Sequence, residues 1–506
     1  MHPRRTFRNT LGAALLAATT ALALAACSGG ASPSAGTASP DAVLTVGSTN
    51  TPTNLDQIAG GSSGVTEVFT GNVYEGLFRI TDSATVEPLL AKTATVSPDG
   101  LTYTFGLQTA NFHSGAPVTA ADVKYSLERF ISTASLAARK KQLSVIDSVS
   151  VVDDKTVAVK LKQKSISFTY NLGYVWIINH TATDISSTED GSGPYTLKSY
   201  HKGDSIALDV NKKYWGTAPK NGGAVFKYFT DATAMNNALL TKAVDVVTSE
   251  ASPDALGQFS DTGKFSIIEG TSTYKELLAF NDKVAPFNNV TVRKALYSAI
   301  NREQLLKSIW DGRGQLIGSM VPPSEPWYLD LANNNPYDVN LAKKLLADAG
   351  FANGFSFTLQ VPNNATETTV AEFVKSELAK VNVKVTINLI TDDQWYANVY
   401  KAHDFQATLQ QHVNDRDINF YGDPNFYFGY NNPDVQNWLA QSEAAPTAAD
   451  QAALVKKANQ QISDDAASVW LYLNPQIRVS TANVRNVPKN GLNSLFYISG
   501  IEKVSA

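Results

Sequence analysis

The chain has 506 residues, of which 43% are hydrophobic and 17% are charged, and its formal net charge at pH 7 is −4. A mildly acidic chain offers no basic patch of the kind that nucleic-acid binding needs, so no nucleic-acid partner is expected. The length suits two or three domains, and beyond the N-terminal region no stretch approaches the ~18 consecutive apolar residues of a membrane-spanning helix. Cys27 is the only cysteine, which excludes a disulfide within the chain.

The first 26 residues are typical of an export signal. Arg4, Arg5 and Arg8 precede Leu11–Ala26, sixteen residues without a charge. A basic region before a short apolar run predicts a secretory signal peptide. Arg4 and Arg5 also fit a twin-arginine signal, although Arg8 stands where an apolar residue is usual, so the Sec and twin-arginine routes both stay open. Removal of the signal takes away three arginines and no acid, which moves the net charge from −4 to −7.

Cys27 follows Leu24, Ala25 and Ala26 at the point where signal cleavage is expected. These four residues resemble the lipobox of bacterial lipoproteins, in which the cysteine sulfur takes a diacylglyceryl group and becomes the new N-terminus. The alternative is an ordinary cleavage site with a cysteine nearby by chance. Residues 28–42 are small and polar, and they predict a flexible tether with an end-to-end distance of roughly 20 Å. The sequence therefore predicts a protein held by lipid at the outer face of the cytoplasmic membrane.

The first half of the folded chain carries mainly β signals. Residues 43–46 predict a short strand, and apolar residues alternate over 101–107 as in a half-buried strand. Thr119 and Asp122 have the spacing of a capping box and predict the start of a helix. Residues 193–215 predict a β-hairpin.

From about residue 285 the pattern becomes α/β. Asn289, Asn301 and Asp338 are each placed to cap a helix. Alternating apolar residues predict strands over 355–361 and 381–389, with a helix between them. Strand, helix and strand with short links predict a right-handed βαβ unit and a partly parallel sheet.

Six blocks of the sequence, in order, resemble the bacterial extracellular solute-binding proteins of the peptide/nickel-type class, family 5. Together they extend over nearly the whole mature chain, and several ordered blocks are more specific than any single motif. The blocks are 72–80, 101–129, 191–216, 285–306, 337–351 and 431–439.

The resemblance implies an α/β protein with the two-lobe, periplasmic-binding-protein-like (class II, Venus-flytrap) fold. A pair of strands near 277–281 and 473–479 would cross between the lobes, and an extra domain would be inserted in the first lobe. The implied division is lobe I at 43–62, 186–277 and 478–506, the inserted domain at 63–185, and lobe II at 278–477.

The function implied by the resemblance is that of a non-enzymatic receptor for an ABC importer. Such a receptor encloses its ligand as the lobes close, and a membrane permease then recognises the closed complex. Short peptides are the expected ligands, and a metal chelate, an opine or an oligosaccharide is the alternative. A monomer without a cofactor is expected, and a surface sensor or adhesin with the same fold is a further alternative.

In peptide-binding relatives, the stretch before an Asp-Pro pair of the second lobe carries residues that face the cleft. By count from Phe405, Asp415 stands where an aspartate binds the ligand α-ammonium, and Trp395 stands where an aromatic ring forms a wall. A carboxylate suits an ammonium because charge-assisted hydrogen bonds are roughly twice as strong as neutral ones. A solvated loop position is the alternative for Asp415, and packing on a helix face is the alternative for Trp395.

His412 and Arg416 complete the predicted cluster in the second lobe. His412 occupies a position that is often tryptophan in the peptide binders, and it suits either a structural role or a ligand contact. Arg416 suits a bidentate clamp on a ligand carboxylate, although a salt bridge to Asp415 or Asp417 is favoured. The aromatic residues that follow are expected to be mostly core, with one or two rings at the cleft; they are Phe420, Tyr421, Phe426, Tyr427, Phe428 and Tyr430.

Residues 57–65 form a glycine-rich loop without the acid that some peptide binders place there, and Gly61 and Ser62 are expected to offer backbone groups to the ligand. The loop also matches G-x-S-x-G, with Ser62 as the nucleophile of a serine hydrolase. Residues 53–59 do not form the buried strand that such an elbow requires, so an enzyme is not expected. The six histidines are scattered and predict no metal site.

Overall fold

The computed structural model describes residues 38–60, 63–182, 184–185, 189–250 and 253–504. Its strands are β1 Val43–Ser48, β2 Phe78–Ile80, β3 Val86–Pro88, β4 Ala91–Val96, β5 Thr102–Leu107, β6 Ile146–Asp153, β7 Thr156–Leu161, β8 Tyr195–His201, β9 Ser205–Val210, β10 Gly223–Tyr228, β11 Val246–Val247, β12 Phe265–Phe280, β13 Ser356–Pro362, β14 Lys384–Ile390, β15 Ala407–His412, β16 Ser468–Thr481, β17 Val484–Arg485 and β18 Glu502–Lys503. Its helices are α1 Ser63–Phe69, α2 Ala120–Phe130, α3 Lys140–Leu143, α4 Phe168–Leu172, α5 Ala232–Leu240, α6 Val290–Ala299, α7 Arg302–Trp310, α8 Val339–Asp348, α9 Ala365–Ala379, α10 Asp392–Gln394, α11 Pro433–Glu443 and α12 Ala448–Asp464.

Two long antiparallel strands, β12 and β16, join the two lobes of the molecule. They lie in the middle of a ten-stranded sheet with the order β14-β13-β15-β12-β16-β11-β1-β10-β9-β8. One end of the pair contacts the second-lobe strand β15, and the other end contacts the first-lobe strand β11. The register of β12 shifts between Thr271 and Lys275, so the regular ladder is interrupted where the lobes meet. Two lobes joined by crossing strands confirm the predicted fold class.

The second lobe contains the predicted βαβ unit. Strands β13 and β14 are parallel, with Ser356 opposite Lys384 and Pro362 opposite Ile390, and α9 connects them. The predicted caps are also present, since the side chains of Asn289, Asn301 and Asp338 accept hydrogen bonds from N–H groups in the first turns of α6, α7 and α8. The N–H groups in the first turn of a helix have no acceptor within the helix. A side chain that accepts from one of them therefore determines where the helix begins.

A separate antiparallel sheet with the order β4-β5-β7-β6 lies in the range expected for the inserted domain, and α2 packs against β6 and β7. Thr119 and Asp122 form the predicted capping box at the start of α2. The implied division also assigned α1 to this domain, but Val65, Val68 and Phe69 of α1 pack in the first-lobe core with the residues of β1. No helix in the described ranges is long and apolar enough to cross a membrane.

Two buried carboxyl groups, of Glu276 in β12 and Glu367 in α9, are neighbours in the protein core. Burial raises the pKa of Glu367 to about 7. Burial and the neighbouring carboxylate raise the pKa of Glu276 well above its ordinary value. Two carboxyl groups in contact with little water are stable only when at least one of them keeps a proton.

We therefore expect the stability of the protein to fall as the pH rises from about 5 to about 8. The folded state keeps the proton of Glu367 that the unfolded state has already released, so the stabilisation is complete at low pH and is lost as the pH passes through about 7. Glu367→Gln should flatten this dependence and raise the free energy of unfolding at pH 8 by at least about 1 kcal/mol. Urea unfolding at several pH values measures the difference. Glu372→Gln is the control, because Glu372 lies on the same helix with its side chain 58% exposed. Parallel pH profiles for the two variants would contradict the prediction.

Candidate functional site

A cleft between the second lobe and the rest of the molecule holds two neighbouring cavities. The larger has a volume of about 460 Å³ and lies between residues 139–171 of the inserted domain and residues 416–443 of the second lobe. The smaller has a volume of about 250 Å³, and its lining includes Ser63 and Asn414. Arg139 lines both, so its side chain forms part of the wall between them. The volume of the larger cavity is within the ~300–1,000 Å³ that is usual for small-molecule sites.

Arg139 and Asp415 form an ion pair across this cleft. Arg139 immediately precedes α3 in the inserted domain, and Asp415 lies in the loop after β15. Their side chains are only 9% and 4% exposed. Asp415 is therefore not the solvated loop acid that the sequence left as an alternative, and its carboxylate already has a cationic partner from the protein.

Other groups hold Asp415 from the opposite side of the cleft. Its second carboxylate oxygen accepts a hydrogen bond from the Tyr174 hydroxyl at 3.2 Å, and its backbone N–H donates to Asn493 Oδ1 at 2.9 Å. Burial raises the pKa of Tyr174 to about 12, so the phenol keeps its proton and can donate. The guanidinium carbon of Arg139 lies 4.0 Å from the centre of the Tyr174 ring. Binding of a ligand ammonium to Asp415 remains a prediction, and it would require Arg139 to move away.

Arg416 does not form the salt bridge to Asp415 or Asp417 that the sequence favoured. Arg416 has a left-handed backbone, with φ at 56°, which turns its side chain away from its two acidic neighbours. Its guanidinium donates to Ser167 Oγ at 2.9 Å and stacks 3.4 Å from the centre of the Tyr170 ring. Burial lowers the pKa of Arg416 to about 10, so the side chain is still charged at neutral pH. In the described residues, no carboxylate lies within ion-pair distance of this guanidinium.

Glu443, at the end of α11, connects the second lobe to the inserted domain. Its two carboxylate oxygens accept hydrogen bonds from the hydroxyls of Ser165 and Ser167, both at 2.8 Å. Its backbone carbonyl accepts from the N–H of Ile166 at 2.9 Å. Gln451 of α12 adds a hydrogen bond to Ser167 Oγ at 2.9 Å. We call Ser165, Ile166, Ser167, Glu443 and Gln451 the clasp.

His412 lies in a buried network behind the cleft. Its Nε2 atom is 3.0 Å from the Tyr427 hydroxyl, and its Nδ1 atom is 3.5 Å from Asp417. The fully buried Lys275 donates to Asp417 at 3.1 Å. Burial opposes the ionisation of Asp417, but Lys275 and His412 outweigh it and lower the pKa of this carboxyl. This environment matches the structural alternative for His412, which is not among the described residues that line the two cavities.

Trp395 packs on the second-lobe core as its structural alternative predicted. Its indole N–H donates to Thr408 Oγ1 at 3.0 Å, and its ring meets the Tyr427 ring edge-on at 5.5 Å. Like His412, it does not line either cavity as far as the described residues show. Of the six aromatic residues that follow Arg416, Phe420 alone is among the described residues that line the larger cavity. The other five pack around it and in the core.

Three of the predicted site residues, Cys27, Gly61 and Ser62, lie outside the described residues. Ser63, next to them, lines the smaller cavity. The described residues contain no group of three or more His, Cys, Asp or Glu side chains arranged to hold a metal ion.

Several residues that form the cleft were not predicted from the sequence. Most of them come from α4 and the turns around it, where Ser167, Tyr170 and Tyr174 face the second lobe. Arg139 belongs to a short run of basic residues that resembles any exposed charged segment. Only the tertiary contact with Asp415, 276 positions further along the chain, distinguishes it.

Two lobes joined by crossing strands, with small-molecule cavities between them, define a solute-binding protein of the periplasmic type. Residues 85–437 match the family described as bacterial extracellular solute-binding proteins, family 5 Middle. The chain belongs to this family, as the ordered blocks of the sequence predicted. Proteins of this family work outside the cytoplasm as substrate-binding subunits of ABC transporters, with a small-molecule ligand and a membrane permease as partners.

Individual proteins agree with this assignment. The chain is 32% identical over 391 residues to the glutathione-binding protein GsiB of Salmonella typhimurium, with 72% of each chain covered. It is 27% identical over 348 residues to heme-binding protein A of Haemophilus influenzae, with 62% of this chain and 63% of that protein covered. Among solved structures, the periplasmic binding protein DppA of Helicobacter pylori in complex with the peptide STSA has a TM-score of 0.77 and 23% identity, covering 92% of this chain and 98% of that one.

We expect Glu443→Ala to loosen the contact between the second lobe and the inserted domain. The change removes two hydrogen bonds to a charged group, each worth about 1.5–3 kcal/mol. These bonds exist only while the second lobe and the inserted domain are in contact. The radius of gyration of the ligand-free protein, measured by small-angle X-ray scattering, should increase. Gln441→Ala is the control, because Gln441 is exposed on the same helix and bonds only within it. An unchanged radius for Glu443→Ala would show that the clasp does not hold the cleft closed.

Proposed function

We propose that this protein is the non-enzymatic, lipid-anchored receptor of an ABC importer and that it captures short peptides in the cleft between its lobes. Arg416 is the observation that carries the peptide proposal. A guanidinium that faces a cavity, stacks on an aromatic ring and has no carboxylate partner in the described chain suits a ligand with a free carboxylate. Every unmodified peptide carries one at its C-terminus.

The rest of the larger cavity also suits a peptide. Asn171, Ser165 and Ser167 place amide and hydroxyl groups on one wall, and Phe420 places an aromatic ring on the other. Amides and hydroxyls can both donate and accept hydrogen bonds, as a peptide backbone requires. The name of the relative from Salmonella typhimurium supports the same ligand class, since glutathione is a tripeptide.

Delivery of the ligand would follow from closure of the lobes. A ligand that contacts both the inserted domain and the second lobe favours the closed arrangement over the open one. The permease would then select the closed complex. A single chain would be sufficient for this cycle, so we propose a monomer.

Di- to pentapeptides should raise the thermal unfolding temperature of the soluble 28–506 protein. At a peptide concentration of 100 times Kd, the bound state gains about 2.7 kcal/mol over the unfolded chain. Oligosaccharides, opines, haem and Ni²⁺ chelates are tested in the same screen. If one of those classes raises the unfolding temperature and no peptide does, the peptide proposal is wrong and the receptor assignment still stands.

Lipid attachment at Cys27 has its own test. Expressed with its signal in a bacterial host, the wild-type chain should incorporate a labelled fatty acid and sediment with membranes. Cys27→Ala should incorporate no label, because lipidation requires the cysteine sulfur. The variant should no longer be recovered as a lipidated protein in the membrane fraction. Ser28→Ala, next to the cleavage point, is the control and should behave as wild type. Equal labelling of the Cys27→Ala protein would refute the anchor.

A further inference from the structure

Arg139 occupies the place on Asp415 that a ligand ammonium would need. Its guanidinium binds one carboxylate oxygen, and the Tyr174 hydroxyl binds the other. Arg139 is further held by Asn171 Oδ1 at 3.4 Å and by the face of the Tyr174 ring. Both oxygens of Asp415 therefore have protein partners, and an arriving ammonium would have to displace a buried guanidinium to reach them.

Displacing Arg139 would be costly, because its side chain would have to leave a buried ion pair. Removing one partner of such a pair leaves an uncompensated charge, which is among the most destabilising changes in a protein interior. Arg139 also lines both cavities, so its departure would remove part of the wall between a volume of about 460 Å³ and one of about 250 Å³. Asp415 itself is not among the described residues that line either cavity.

The charged groups of the larger cavity leave an excess of positive charge. Two carboxylates line it, and both already have partners: Asp423 pairs with Lys141 at 2.6 Å, and Glu443 is bonded by the two serine hydroxyls of the clasp. Arg416 has no carboxylate partner among the described residues. Within the described part of the chain, its side chain donates one hydrogen bond, to the neutral hydroxyl of Ser167 at 2.9 Å.

A guanidinium has five N–H donors in a planar fork, so most of the donors of Arg416 remain available. Its stacking on Tyr170 fixes the plane of the fork. Burial lowers the pKa of this side chain to about 10, although the charges of Glu325 and Glu443 act in the opposite direction. A ligand carboxylate would supply two parallel hydrogen bonds.

We infer that the cleft selects peptides by a carboxylate bound at Arg416 and does not recognise a free α-amino group, because Arg139 is the protein's own cation on Asp415. The inference rests on the proposed peptide function and defines its ligand class. The class comprises short peptides with a free carboxylate, including those whose amino terminus is blocked.

Isothermal titration of the wild-type protein with trialanine, N-acetyl-trialanine and trialanine amide tests this inference. The first two should bind with Kd values within about threefold of each other. The amide should bind at least tenfold more weakly, because it lacks the carboxylate. A tenfold loss on acetylation with none on amidation would overturn the inference while leaving the peptide function intact. If none of the three binds, and no peptide of the wider screen does, both fall together.

Two variants assign these effects to residues. Arg416→Gln should bring the acid and the amide to within about threefold of each other. Arg139→Met should uncover Asp415, so that trialanine binds at least tenfold more tightly than its N-acetyl form. If Arg139→Met does not fold, Arg139→Lys is measured in its place. It keeps a cation on Asp415 and should therefore show no preference for trialanine over its N-acetyl form.

Arg313→Met is the matched control. Arg313 is partly exposed, pairs with Glu269, and lies outside both cavities. It should preserve the wild-type order of the three ligands. Equal binding of trialanine and its N-acetyl form by a folded Arg139→Met protein, together with unchanged discrimination in Arg416→Gln, would overturn the assignment.

Discussion

The ion pair between Arg139 and Asp415 is the interaction on which the arrangement of the cleft depends. It joins the inserted domain to the second lobe, and both side chains are nearly buried. Removing two charges from water is expensive, so such a pair is stable only when both partners are in place and their other hydrogen bonds are satisfied. Tyr174 and Asn493 meet that condition for Asp415. Arg139 also forms part of the wall between the two cavities, and Arg416 beside it has no carboxylate within ion-pair distance among the described residues.

The closed cleft has a second, independent contact in the clasp. The ion pair is charged on both sides, whereas the clasp places one carboxylate against neutral hydroxyls and backbone. Ser167 bonds both Glu443 and Arg416, so ligand binding at Arg416 would be coupled to closure of the cleft. A carboxylate bound at Arg416 would therefore lie next to the contact that holds the lobes together. This placement gives a physical reason for a ligand to favour the closed state.

The local sequence was informative wherever one segment determines its own structure. Caps at Asn289 and Asp338 and the alternating strands of the βαβ unit depend on neighbours a few residues away, and the structure forms them as predicted. Residues of the cleft depend on partners far along the chain. Asp415 was placed at the cleft by position, but nothing near it indicates Arg139. The expected salt bridges of Arg416 fail because adjacent residues in a tight left-handed turn do not face each other.

A double-mutant cycle with Arg139→Met, Asp415→Asn and the combined variant tests the central claim most directly. Urea unfolding of the ligand-free proteins gives the free energy of unfolding of each. The buried pair predicts that each single change is strongly destabilising and that the double variant regains part of the loss, with a coupling energy of at least about 1.5 kcal/mol. Additive effects, with a coupling energy near zero, would show that the two residues do not interact across the cleft.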